Sequence, residues 1–205
     1  MKKIVVPCIC MMLVITMAPI AIAEENDLEK NDFKFDVIPL FFFQRWNPLW
    51  QIFFKHLDIV SFSLSEESQD SEYLYLTMQI RDFEYSEYRS VYAIYWTYNY
   101  TRYFVVTNTH TNGEAINILA GHFDLSGEDH GTPVNGEINE EENTLTWIVP
   151  KDLVGNPDAG EEFSEIHANT FLILQKDCDV KYPIYLAKDI ARPLLSPGYS
   201  YTVQF

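Results

Sequence analysis

Residues 73–80 read Tyr73-Leu74-Tyr75-Leu76-Thr77-Met78-Gln79-Ile80. Aliphatic side chains occupy every second position, the two-residue rhythm of a strand buried on one face. Working outward, the same rhythm precedes this stretch at Val60, Phe62 and Leu64, between Ser61 and Ser63. Beyond it, Val91 to Tyr98 and Tyr103 to Thr107 are rich in Tyr, Trp and Val around Asn99-Tyr100-Thr101-Arg102, which predicts a hairpin. Ile116 to Phe123 reads as a strand, and Asn135-Gly136 as a turn. Glu137 to Asn139, an acidic tip at Glu140 to Asn143, and Thr144 to Val149 form a second hairpin. Pro150 to Gly155 has room for one helical turn, ended by Gly155-Asn156-Pro157. Alternation resumes from Phe163 to Gln175, with Ile166, Ala168, Thr170, Leu172 and Leu174 on one side, and Tyr199 to Phe205 is the last strand. About eight strands at short, turn-marked spacing imply an all-β fold, an antiparallel β-sandwich or barrel.

Ahead of the strands the chain has a different character. Lys2 and Lys3 lead an apolar run from Ile4 to Ile22, closed by Ala21-Ile22-Ala23 before Glu24-Glu25. This is the layout of a secretory signal peptide over residues 1–23, whose cleavage leaves no membrane span. Residues 24–32 are polar and acidic and read as a flexible lead-in. Residues 33–205 then form a single domain, of a length that builds its own core. Near its start Asn47-Pro48 resembles an N-cap and first helical residue, with Trp46, Leu49, Trp50 and Phe53 at helical spacing. One short helix is expected from about Pro48 to Lys55, plugging an end of the β core, with Lys55 and His56 suited to its C-terminal end.

Loss of residues 1–23 removes two lysines and no acid, so the net charge moves from −16 to −18. Nucleic acid and anionic lipid need clustered cations, so neither is an expected partner. Cys8 and Cys10 leave with the signal, and Cys178 stays alone, with no intrachain disulfide. Flanking Asp177 and Asp179 disfavour its thiolate.

Asp58-Ile59-Val60, the hairpin with Tyr95-Trp96 and Tyr103-Phe104, the run Thr144 to Pro150 through Gly155-Asn156-Pro157, and Ala168-Asn169-Thr170 form a pattern together. Over roughly residues 58 to 175 it resembles secreted β-sandwich domains of the DOMON-like and family 9 carbohydrate-binding-module-like kind. The resemblance implies an immunoglobulin-like or jelly-roll-like sandwich that binds sugar, haem or no known ligand. Haem-binding members use methionine or histidine ligands, and no such pair stands out here.

Two constellations carry chemistry. Trp96, Tyr98, Tyr100 and Tyr103 cluster on one hairpin, and exposed rings there would offer a flat platform with hydroxyl handles to a glycan or small molecule. The competing reading is packing, because Tyr92, Ile94, Trp96 and Tyr98 share a face. The second cluster is His122, Asp124, Ser126, Glu128, Asp129 and His130, whose oxygen ligands suit Ca²⁺, with Asp124, Glu128 and Asp129 as the metal set. Its competing reading is an acidic hydrated turn.

No G-x-S-x-G, phosphate loop, H-E-x-x-H or dinucleotide fingerprint occurs. A glycosidase carboxylate pair would come from Glu137, Glu140, Glu161 or Glu165. The expected function is therefore a non-catalytic, secreted or cell-surface ligand-binding or accessory module. The alternatives are a small outer-membrane-type barrel, suggested by Tyr199, Tyr201, Val203 and Phe205 alternating to a terminal aromatic, and an extracellular hydrolase.

Overall fold

The structure, a computed structural model, describes residues 28–31, 38–39, 54–83, 89–109, 115–173, 185–191 and 198–205. These form two antiparallel sheets and no helix longer than four residues. The smaller sheet orders β1 (Leu28–Asn31), β3 (Ile59–Glu67), β4 (Asp70–Ile80), β10 (Thr144–Pro150) and β9 (Asn135–Asn139) as β1-β3-β4-β10-β9. The larger orders β2 (Ile38–Pro39), β12 (Tyr185–Ala191), β11 (Glu162–Ile173), β5 (Arg89–Tyr98), β6 (Thr101–Thr109), β7 (Ala115–Phe123) and β8 (Asp129–Pro133) as β2-β12-β11-β5-β6-β7-β8. On the β12 side of β11, its first residues pair instead with β13 (Tyr199–Thr202).

The alternation that defined the strands is also what fills the interior. Leu74, Leu76, Met78 and Ile80 of β4 are at most 1 % exposed, and across the interior Tyr92, Ile94 and Trp96 of β5 are equally buried. Both sheets contribute to one apolar cluster, joined by Trp147 of β10 and Phe163 of β11. The hairpin from β5 to β6 turns in two residues, Asn99 (φ 47°) and Tyr100 (φ 62°), tighter than the four-residue loop expected. Positive φ at both central positions matches the twist of the flanking strands.

Three expectations are corrected. Leu28–Asn31, assigned by composition to a flexible lead-in, is an edge strand in register with Ser61–Leu64 of β3. Asn135-Gly136 is not a turn: the chain leaves the larger sheet at Pro133 and has entered the smaller one by Asn135. Gly136 is needed there for closeness, since a Cβ would lie 2.4 Å from the Thr146 carbonyl oxygen. The acidic stretch at Asp129 continues as strand β8, with His130 opposite His122. The helix expected from Pro48 lies outside the described residues until Phe54, after which Lys55–Leu57 makes a single 3-10 turn. Leu174 and Cys178 also lie outside them.

That turn is tied to the larger sheet through its carbonyls. Tyr92 Oη donates to the His56 carbonyl at 3.0 Å, and Thr170 Oγ1 to that of Leu57 at 2.6 Å. These bonds satisfy helix-end acceptors that would otherwise be buried unpaired. Arg81 grips buried Asp58 beside it, through Nε to Oδ2 at 2.5 Å and Nη2 to Oδ1 at 3.4 Å.

His56 itself is buried, and its Nε2 has no hydrogen-bond partner among the described residues. Burial penalises the imidazolium and lowers its pKa from 6.5 to about 4. The unfolded chain therefore takes up the proton first as pH falls, so stability is full above pH 6.5 and declines toward pH 4. The loss across that window is about 3 kcal/mol. Urea unfolding at steps between these pH values is expected to show it in the wild type and much less of it in His56→Phe. Equal slopes in both proteins would rule out His56 as the titrating group.

Candidate functional site: an aromatic face with an arginine

Three of the four hairpin aromatics face inward. Trp96 is fully buried, stacked on Tyr103 at 6.1 Å with 19° between the planes and packed on Phe163 at 6.0 Å. Tyr98 and Tyr103 are 5 % and 8 % exposed, and Tyr98 meets Phe163 edge-on. The Tyr98 hydroxyl donates to Glu161, which pushes its pKa up to about 12 and lowers that of Glu161. A platform needs open ring faces, and for these three residues the packing reading is the one the geometry supports. Only Tyr100, at the hairpin tip beside Asn99, stands fully in solvent.

The acidic loop closes on itself. Asp124 Oδ1 accepts from Ser126 N at 2.8 Å, Ser126 Oγ at 2.6 Å and Glu128 N at 2.9 Å. The Ser126 hydroxyl leads the interactions that lower its pKa to about 2. Its other oxygen faces His130 Nε2 at 3.5 Å. Glu128 and Asp129 are exposed, and among the described residues no three His, Cys, Asp or Glu side chains gather as a metal set. Asp124 thus acts as the acceptor that shapes this turn. Of the carboxylates considered for hydrolysis, Glu137 lies on β9 and Glu140 in the turn to β10, whereas Glu161 immediately precedes β11 and Glu165 lies within it.

The opposite face of the same strands presents what the hairpin's inner face does not. Because Trp96 points inward, Tyr95 points outward, and the register sets His167 of β11 on one side of it and Phe104 of β6 on the other. The Tyr95 ring stacks on His167 at 5.4 Å and 26°, and on Phe123 of β7 at 6.3 Å and 28°. Phe104, 4 % exposed, lies against Phe123 at 5.0 Å. Tyr95, Phe123 and His167 are half-buried. Two glycines continue the Tyr95–Phe104 rank, Gly121 and Gly131. At Gly121 a Cβ would meet the His130 carbonyl oxygen at 2.0 Å, so no side chain larger than hydrogen fits.

Exposed Arg102 lies across this face, its guanidinium carbon 4.9 Å from the Tyr95 centroid and 5.8 Å from that of Phe123. A guanidinium over a ring is held by the ring's negative face. The Arg102 Nη2 stands 3.3 Å from His167 Nε2, and His167 Nδ1 stands 2.7 Å from the Glu165 carbonyl oxygen. A carbonyl only accepts, so Nδ1 carries the proton and Nε2 accepts from Arg102. The Glu165 carbonyl is delivered by a bulge: β11 shifts register between Ser164 and His167, and Glu165 has φ 56°. Its carboxylate accepts from Thr97 Oγ1 at 2.8 Å.

Tyr95, Phe123, Arg102 and His167 escaped the sequence reading. The signal that could have found them was parity: once Tyr92, Ile94, Trp96 and Tyr98 are assigned inward, Tyr95 must face the other way. The placement of Phe123 and His167 beside it needed the strand order, which parity does not contain.

No protein-family model, curated protein or solved structure matches this chain.

Proposed function

We propose that the protein is a non-catalytic, secreted or surface-displayed β-sandwich module that binds a glycan on the outer face of its larger sheet. The observation that supports this reading is the cluster of half-buried Tyr95, Phe123 and His167 rings on β5, β7 and β11, with exposed Arg102 over Tyr95 and Phe123. A pyranose presents an apolar C–H face of comparable breadth, and aromatic rings supply a large rigid contact with little conformational entropy to lose. The leader-like residues 1–23 support export, and no helix among the described residues is long and apolar enough to cross a membrane. One apolar cluster shared by both sheets supports a sandwich over a barrel with a polar lumen.

The test is polysaccharide affinity electrophoresis and calorimetry on the mature protein and on Tyr95→Ala. Removing the central ring is expected to weaken glycan binding about tenfold or more, a loss of roughly 1.4 kcal/mol, with the melting transition still cooperative. Undiminished binding by folded Tyr95→Ala would refute the platform.

A further inference from the structure

In the whole chain a single asparagine is followed two residues later by Ser or Thr with no proline between: Asn99, in Asn99-Tyr100-Thr101. That triplet is the acceptor pattern for N-linked sugar, which belongs on the surface of exported proteins. Its first two residues are the entire turn between β5 and β6, and both are exposed. A turn with positive φ at both positions prefers Gly at the second, yet the second is Tyr100, held at φ 62°. A bulky side chain in that region is strained, and this one is fully in solvent, so no packing offsets the strain. Strain kept at an exposed position directs attention to function.

Resting on the export part of the reading above, we infer that Asn99 is a site of N-linked glycosylation. The donor is an oligosaccharide carried on a lipid pyrophosphate. Asn99 Nδ2 bonds to the anomeric carbon of the first sugar, the bond from that carbon to the pyrophosphate oxygen breaks, the lipid pyrophosphate leaves with the electron pair, and Nδ2 gives up one proton. Thr101 supplies the hydroxyl of the acceptor pattern. It opens β6 and pairs with Tyr98, so transfer takes place before the hairpin closes, and the closed hairpin must then accommodate the product. The tip meets that condition. A substituent on Asn99 enters solvent and displaces no packed ring, whereas Tyr98 and Tyr103 on the adjoining strands are buried. The open ring of Tyr100 lies next to the attachment point and offers the C–H face of the first sugar an apolar surface.

The experiment produces the full chain in eukaryotic secreting cells, once with its own residues 1–23 and once with a host leader in their place. Glycopeptide mass spectrometry of medium and cells is run on the wild type, Asn99→Gln, Thr101→Val, Thr101→Ser and Tyr100→Gly. The wild type is expected to carry sugar at Asn99, Asn99→Gln and Thr101→Val to lose it, and Thr101→Ser to retain it, because serine restores the hydroxyl. Enzymatic removal of the sugar should lower the melting temperature of the wild type more than that of Tyr100→Gly, and equal shifts would overturn the contact between sugar and ring. Wild type secreted behind either leader with Asn99 unmodified would overturn the site and leave export standing. A chain kept unprocessed inside the cell by its own residues 1–23, while the host-leader version is glycosylated, would overturn export and with it the modification of the native protein. Sugar found in Thr101→Val would show attachment elsewhere and overturn the assignment to this triplet.

Discussion

Lys151→Met is expected to destabilise the protein by about 3–5 kcal/mol, because it strands a carboxylate in the interior. The Lys151 ammonium pairs with Glu66, and the two side chains are 6 % and 0 % exposed. Glu66 also accepts from Tyr201 Oη at 3.1 Å and from the main-chain N–H of Gln204 at 2.5 Å, and Lys151 donates to the main-chain oxygen of Phe205. Glu66 is on β3 of the smaller sheet, whereas Tyr201 is on β13 of the larger. The carboxylate therefore fastens the two sheets together at the end where Lys151 begins a 3-10 turn, Lys151–Val154. Removing the cation leaves the charge desolvated with only neutral donors around it. Adding Glu66→Gln to Lys151→Met should recover most of the loss, since an amide oxygen still serves Tyr201 and Gln204 and no charge remains. Denaturant unfolding of the two single variants and the double variant gives the coupling energy. A Lys151→Met cost below about 1 kcal/mol, the range of an exposed pair, would contradict the buried clasp.

Trp96→Ala is expected to cost about 3–5 kcal/mol, the usual range for emptying the site of a buried aromatic. The indole is fully buried between Tyr103 and Phe163, two rings that would lose their partner without being able to close on the gap. Its near neighbour makes the contrast. Tyr95→Ala removes a ring of comparable size one residue away, but from the half-exposed face, so the melting transition should shift far less while glycan binding falls. Near-UV circular dichroism and thermal melting separate the two outcomes. If Trp96→Ala melted within a few degrees of the wild type, the inward assignment of this face would be wrong. The unpaired Trp96 Nε1 adds a refinement: Trp96→Phe removes a buried donor that has no acceptor among the described residues, and should cost much less than Trp96→Ala.

These paired residues show how the candidate site hid in the sequence. Composition and clustering drew attention to Trp96, Tyr98, Tyr100 and Tyr103 because they lie within a few positions of one another on one hairpin. In a strand, however, neighbours in sequence point apart, and neighbours in space come from other strands. Tyr95, Phe123 and His167 span 73 residues of chain and meet only because β11, β5, β6 and β7 are adjacent in one sheet. The acidic loop shows the same limit of closeness in sequence. Asp124 accepts from the main-chain N–H groups of Ser126 and Glu128, whereas the side chains of Glu128 and Asp129 are exposed.

The sequence alone determined the all-β character, a hairpin around Asn99–Arg102 and another at Glu140–Asn143, the helical turn ended by Gly155, and the inward set from Leu74 to Ile80. Each of these depends on side-chain alternation or on turn residues, which act over a few positions and are written locally. Tertiary structure alone decided that Leu28–Asn31 is an edge strand, that Gly136 sits inside a strand, that Glu66 and Lys151 meet, and that rings from three strands form one face under Arg102. Those facts depend on which strands lie side by side. Adjacency of that kind is settled by burying both sheets against a common core, a condition on the whole chain that no short stretch of it carries.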